Sequence, residues 1–307
     1  MPPRKAHPRA LHYLALALWL LTPNLFGCHR PPEKKTVTPP SSSAPLIQEP
    51  PSNPSVNDSP PSLDIEAPWD KSLRALVQSS LSRAVDAVLR EERLQVSDLW
   101  TLRQFLRLHP HQALAEHVDR QAASTPATPF VVLVRHAPPP TLPDDPGHGI
   151  VRLSNLILAS MAEPEDRALS FLREFLLSDE SGYILTHQLL AVEWCEQVGR
   201  RLPKELADRR DAFLSRLAKE QALDPTFSDL FAERAALLLL HESPNKDHAA
   251  QWVRIILDAQ QDDGTWGLLT WTTSYDGETR EITGTRMHTA TWAMLALAAY
   301  LDRFGKE

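Results

Sequence analysis

Two histidines open apolar segments: His187 in THQLLAVEW and His288 in HTATWAMLALAAYL. An imidazole there can carry protons near neutral pH or ligate a metal ion. Glu193 and Cys195 follow His187 by one to two helical turns. His187, Glu193, Cys195 and His288 thus offer the nitrogen, oxygen and sulfur donors of a Zn²⁺ site, in which three ligands and a water would make a catalytic centre. The spacing leaves a plainer state open, in which a histidine at a helix start bonds a loop carbonyl and a lone cysteine is packed in the core. His241 closes its segment instead of opening it, so it is expected to point elsewhere. The acidic turn Asp262-Asp263-Gly264 has no third oxygen ligand spaced for Ca²⁺. It reads as a helix end, with Gly264 left-handed and Trp266 folded back between layers.

Helical hairpins are what would hold these side chains. In AAQWVRIILDAQ, Trp252, Ile255, Ile256 and Ala259 share one helical face, and the helix stops at Gln261-Asp262-Asp263-Gly264. A Gly- and Thr-rich loop follows. The segment from His288 to Leu301 is apolar almost all round and is expected to be buried. Earlier, Ala168–Leu177, the turn Asp179-Glu180-Ser181-Gly182-Tyr183 and THQLLAVEW repeat the device, aligning Gly182 with Gly264, Tyr183 with Trp266 and His187 with His288. A third pair spans Lys204–Gln221 and Phe227–His241. A hairpin period of roughly forty to fifty residues marks a helical repeat array, in which each hairpin needs neighbours to cover its apolar arm.

Gln260-x-x-x-Gly264-x-Trp266 resembles the Q-x3-G-x-W part of the QW repeat of terpene cyclases and protein prenyltransferases. His288-Thr289 resembles the opening of the helix that carries a zinc-binding histidine in the prenyltransferases. The resemblance covers about Arg152 to Leu301 and implies an α/α toroid, a ring of inner helices inside a ring of outer ones. It does not extend to activity. Ile255 stands where the repeat has an aromatic, the aspartate-rich acid motif of class II cyclases is missing, and Glu193-Trp194-Cys195 only echoes the D-x-C zinc pair. In a toroid the inner helices start on one face, so His187 and His288 are expected to meet in a pocket lined by Tyr183, His187, Trp266, Trp271, Tyr275 and His288.

Val134-Arg135-His136-Ala137 after FVVLV resembles the strand and R-H-G/A signature of histidine phosphatases, which would make Arg135 a phosphate clamp and His136 the phosphoryl acceptor. That fold continues with alternating strands, whereas this chain turns helical from Val151, and Pro138-Pro139-Pro140 replaces a second arginine. The alternative is a short β segment leading a Pro-rich loop, within residues 124–149, over one mouth of the array.

The chain starts with Arg4, Lys5 and Arg9, a short apolar run LHYLALALWLL, and Leu25-Phe26-Gly27-Cys28. A basic start and an apolar core too short to span comfortably describe an export signal, residues 1–27. Leu-x-Gly-Cys resembles the bacterial lipobox, which implies lipidation of Cys28, anchorage to a membrane and a place in the cell envelope. Residues 28–68 are Pro, Ser, Asn and Thr with almost no aromatics, a disordered tether that cannot bury enough apolar area to offset its ordering entropy. Only Cys28 and Cys195 exist, so a lipidated Cys28 leaves no internal disulfide. Residues 69–307 suffice for one all-α domain with a sizeable core. The formal charge of −7 becomes more negative once the three basic leader residues are removed, which argues against nucleic acid as a partner. Two functions stay open. One is a non-catalytic binding or scaffolding module for a peptide, glycan or lipid, with no cofactor; the other is a zinc-dependent enzyme using the same cavity. The lack of a complete catalytic motif favours the first.

Overall fold

The computed structural model describes residues 71–125, 129–135, 137–138, 141–145, 147–162, 166–241, 244–275 and 277–305. The expected leader, Cys28, the tether and His136 lie outside them. Helix dominates the described residues. In chain order they form α1 (Lys71–Leu89), α2 (Val96–Leu108), α3 (Gln112–Ser124), a 3-10 turn (Pro129–Leu133), α4 (Gly149–Met161), α5 (Asp166–Leu177) and α6 (Gly182–Gln197). The short α7 (Lys204–Ala207), α8 (Arg209–Leu223), α9 (Asp229–His241), α10 (Lys246–Asp258), strands β1 (Thr270–Tyr275) and β2 (Glu278–Thr283), and α11 (Arg286–Phe304) follow.

The helices fall into two kinds. Helices α1, α3, α5, α8 and α10 bury one stripe each, as α1 does with Leu73, Val77, Leu81, Ala84, Val85 and Val88. Leu76, outside that stripe, is exposed. Helices α6, α9 and α11 are buried nearly all round, and α2 nearly so; in α9 only Leu230, Leu240 and His241 escape full burial. Helix α11 packs on α9, α2, α1 and α10; α9 packs on α6 and α8; α6 packs on α4 and α8; and the 3-10 turn lies between α2 and α4.

The Q-x3-G-x-W stretch ties the last hairpin to the first helix. Gln260 donates to the carbonyls of Ser80 and Gly264 at 3.0 Å each, and Arg83 donates to Gln260. Gly264 adopts a positive φ of 88°, and a Cβ there would strike the Arg83 carbonyl, so only glycine suits the position.

Helices α2 and α3 are separate, because Pro110 disfavours helical backbone at His109, which takes φ −132° and ψ 80°. His111 then caps α3, its Nδ1 accepting from the Leu114 N–H at 3.2 Å. FVVLV forms the 3-10 turn and not a strand: it has no partner strand, and its apolar side chains pack into the helical core. The Gly- and Thr-rich loop is an antiparallel hairpin, with Trp271 opposite Ile282 and Thr273 opposite Arg280. Threonine and aromatic residues favour a pleated strand, and Gly277 turns with φ 75°. Among the described residues no helix is long and apolar enough to cross a membrane.

Candidate functional site

Helices α2, α6, α9 and α11 bring their first two turns together. Asp98 stands in the first turn of α2, Asp229 and Glu233 in the first two turns of α9, Tyr183 and His187 in those of α6, and His288 in the first turn of α11. Carboxylates gather there for a physical reason: the unpaired N–H groups and dipole of a helix start favour negative charge. One oxygen of Asp98 accepts from the Gln95 N–H at 3.0 Å, and one oxygen of Asp229 accepts from the Thr289 hydroxyl at 2.8 Å. The other oxygens, Asp98 Oδ1 and Asp229 Oδ2, are buried without a hydrogen bond, as are both oxygens of Glu233.

His288 lies between carboxylates. Its Nδ1 is 3.6 Å from Asp98 Oδ1 and its Nε2 is 3.6 Å from Asp229 Oδ2. Burial alone would lower its pKa; the Asp229 and Asp98 carboxylates outweigh that and raise it to about 9. His187 is the opposite case. Burial lowers its pKa to about 4, against the pull of the Tyr183 carbonyl, so the ring is neutral. Its Nδ1 lies 2.9 Å from that carbonyl, which only a protonated nitrogen can satisfy, leaving Nε2 with the lone pair. The same Nδ1 is 3.7 Å from Glu233 Oε1. Burial and the Asp229 charge raise Glu233 to about 8, burial raises Asp229, and burial with the Glu233 and Asp229 charges raises the Tyr183 phenol.

A tryptophan group lies beneath. Trp194 and Trp292 meet His187 and His288 edge-on at 6.4 and 6.5 Å, and Trp100 meets both indoles at 5.8 and 6.0 Å. Above, β1 packs on α4, α6 and α9, and Glu278 sits against Gly149 at the start of α4. The hairpin therefore crosses from the start of α11 to the start of α4, over the helix starts that carry the cluster. His187 and His288 keep only 12% and 15% of their side chains exposed.

The other residues proposed from sequence are placed as follows. Tyr183 stacks on His187 at 4.1 Å. Trp266 is buried, its indole donating to the Ile256 carbonyl at 2.7 Å, so it plugs the layer beside α10 and does not line this mouth. Tyr275 packs its ring on Phe175 at 6.1 Å, and the Trp271 backbone runs in β1. The four-residue zinc set is corrected. Glu193 faces down α6 to His241, Oε1 to Nε2 at 2.5 Å, and Arg210 approaches His241 Nδ1 at 2.9 Å. Cys195 donates to the Ser160 carbonyl at 3.1 Å in the core, where burial pushes its thiol to about 12. Neither can join His187 and His288. Arg135 donates to the Ala122 and Ala123 carbonyls at the end of α3, which removes it from any phosphate-clamp role.

Asp98, Asp229 and Glu233 escaped the sequence reading. The signal for Asp229 and Glu233 was an Asp-x3-Glu spacing at the start of a largely apolar helix. No protein-family model, curated protein or solved structure matches this chain.

Proposed function

We propose that this is a cell-envelope enzyme built as an α/α toroid, anchored through a lipid on Cys28, with its active centre at the starts of the inner helices. The architecture follows from the two kinds of helix and from the first helix lying against the last hairpin. The anchor follows from the Leu25–Cys28 lipobox resemblance.

One observation carries the catalytic reading. Asp98, Asp229 and Glu233 are buried within reach of His288 with four carboxylate oxygens left without hydrogen bonds. Each such group costs about 1–3 kcal/mol, a cost that a purely structural interior would remove by substitution. Strained electrostatics of this kind gather where acids, bases or metal ions act. The reaction class is hydrolytic, on a peptide, glycan or lipid ester of the envelope. His187, a neutral imidazole beside the cluster, is the base.

The test has two arms. Glu233→Met keeps volume and removes the unpartnered oxygens; the melting temperature of full-length protein should rise by about 2–4 °C, roughly 1 kcal/mol. A fall of several degrees would make the cluster a structural ion network. Incubation with isolated envelope polymer should release reducing ends, amino termini or acyl chains, and His288→Ala should abolish release. Retention of a ligand without turnover would instead establish the binding module.

A further inference from the structure

We propose that Asp229, Glu233 and His288 hold one divalent metal ion of the Zn²⁺ class, with Asp98 orienting His288 from behind. This rests on the active-centre reading above and adds a cofactor to it.

The donor atoms are already gathered. One ligand atom from each of the three residues lies within 4.8 Å of the other two, and His288 Nε2 is 3.6 Å from Asp229 Oδ2. Ligands held at about 2.0–2.2 Å around a tetrahedral ion are separated by about 3.3–3.6 Å, so closure asks for small side-chain shifts only. Donor availability agrees. Asp229 is fixed through its other oxygen by Thr289, which aims Oδ2 at His288, and neither Glu233 oxygen has a hydrogen bond. These carboxylates are fully buried, so the unsatisfied oxygens face protein interior and not bulk water.

His288 is arranged as a ligand. Asp98 Oδ1 faces Nδ1, and that carboxylate is held in place by the Gln95 N–H on its second oxygen. A proton on Nδ1 directed at Asp98 leaves the Nε2 lone pair pointing to Asp229 and Glu233. A carboxylate behind a ligating histidine is the usual means of fixing ring orientation and tautomer. His187 completes the surround. Its Nδ1 is engaged by the Tyr183 carbonyl at 2.9 Å and lies 3.7 Å from Glu233 Oε1, which sets the neutral ring beside that carboxylate.

Charge points the same way. Asp98 and Asp229 alone outnumber His288, and the nearby Arg234 is engaged by Glu220 at 3.4 Å and Asp224 at 2.5 Å. A divalent ion supplies the balancing charge. Two carboxylates and one imidazole, without thiolate, suit Zn²⁺ and Mn²⁺ better than Cu⁺, and the imidazole disfavours Ca²⁺ and Mg²⁺.

Full-length untagged protein, stripped with a chelator, should be titrated calorimetrically with Zn²⁺, Mn²⁺ and Ca²⁺. Zn²⁺ should bind at about one equivalent and raise the melting temperature, and Ca²⁺ should not. His288→Ala and Glu233→Gln should abolish the site, and Asp98→Asn should weaken it by about 10–100-fold, each with unchanged far-UV circular dichroism. Absence of Zn²⁺ binding, or equal affinity in Glu233→Gln and Asp98→Asn, overturns the proposal. If Zn²⁺ fails to bind while Glu233→Met still raises the melting temperature, the metal falls and the active-centre reading stands. If Glu233→Met lowers it, the active-centre reading itself falls.

Discussion

Asp98 and His288 come from the first turns of α2 and α11 and meet with Oδ1 3.6 Å from Nδ1. The pair joins two helix starts far apart in the sequence. Burial works against a charged imidazole, so the high pKa of His288, about 9, depends on the carboxylates that flank it.

Asp98→Asn should therefore lower the pKa of His288 in the metal-free protein by a unit or more, with Asp229 still supporting part of the shift. Imidazole resonances followed by NMR titration would report it. A His288 pKa that does not move would show that Asp98 Oδ1 does not act on the ring.

The metal-free protein should be most stable at mildly acidic pH, between about 4.5 and 6.5. His187 is held at about 4 in the fold against 6.5 when unfolded, so its contribution is present above pH 6.5 and lost as pH falls toward 4. Glu233 and His288 run the other way. Their folded pKa values, about 8 and about 9, exceed the unfolded ones, so their contributions are present at low pH. The Glu233 contribution falls from pH 4.5 to 8 and that of His288 from 6.5 to 9. Thermal melts in chelator should decline steadily above pH 7, and Glu233→Gln should flatten the Glu233 part of that decline. Identical slopes in the two proteins would contradict the environment assigned to Glu233.

Gly264→Ala should destabilise the domain by about 2–4 kcal/mol, because alanine resists a positive φ and its methyl would meet the Arg83 carbonyl. Gln260→Ala should cost about 1–2 kcal/mol through its bonds to Ser80 and Gly264. Urea denaturation of each variant measures both. A neutral Gly264→Ala would mean that the last hairpin does not abut α1 closely.

The hairpin pattern was legible because Trp252, Ile256, Ala290 and Leu297 obey helical spacing, and a helix start is where His187 and His288 had to be. Asp98 was legible only by half: one oxygen is the cap that its position suggests, and the other faces a histidine nearly at the far end of the chain. Asp229 and Glu233 look like ordinary solvent-facing acids until the packing of α9 against α6 and α11 removes any solvent side. FVVLV misled because a short apolar run is equally compatible with a strand and a buried turn. The Thr-rich hairpin was hidden by its glycines, which suggested irregular loop when one of them makes the turn.

Glu193 and His241 supply the sharpest contrast between structural and functional charge. They pair at 2.5 Å at the far end of α6 and α9 from the cluster, with side chains 14% and 20% exposed, and Arg210 supports the histidine. Arg210 can only donate to Nδ1, so Nε2 carries the proton directed at Glu193. The couple is an ion pair joining α6 to α9 at a partly exposed position, whereas the Asp98, Asp229 and Glu233 carboxylates are fully buried. Glu193→Gln or His241→Ala should cost about 1–3 kcal/mol in urea melts, because each leaves a largely buried partner unpaired. Both variants should keep wild-type Zn²⁺ affinity in calorimetry. Loss of Zn²⁺ binding in Glu193→Gln without loss of stability would return Glu193 to the ligand set and displace Asp229 or Glu233 from it.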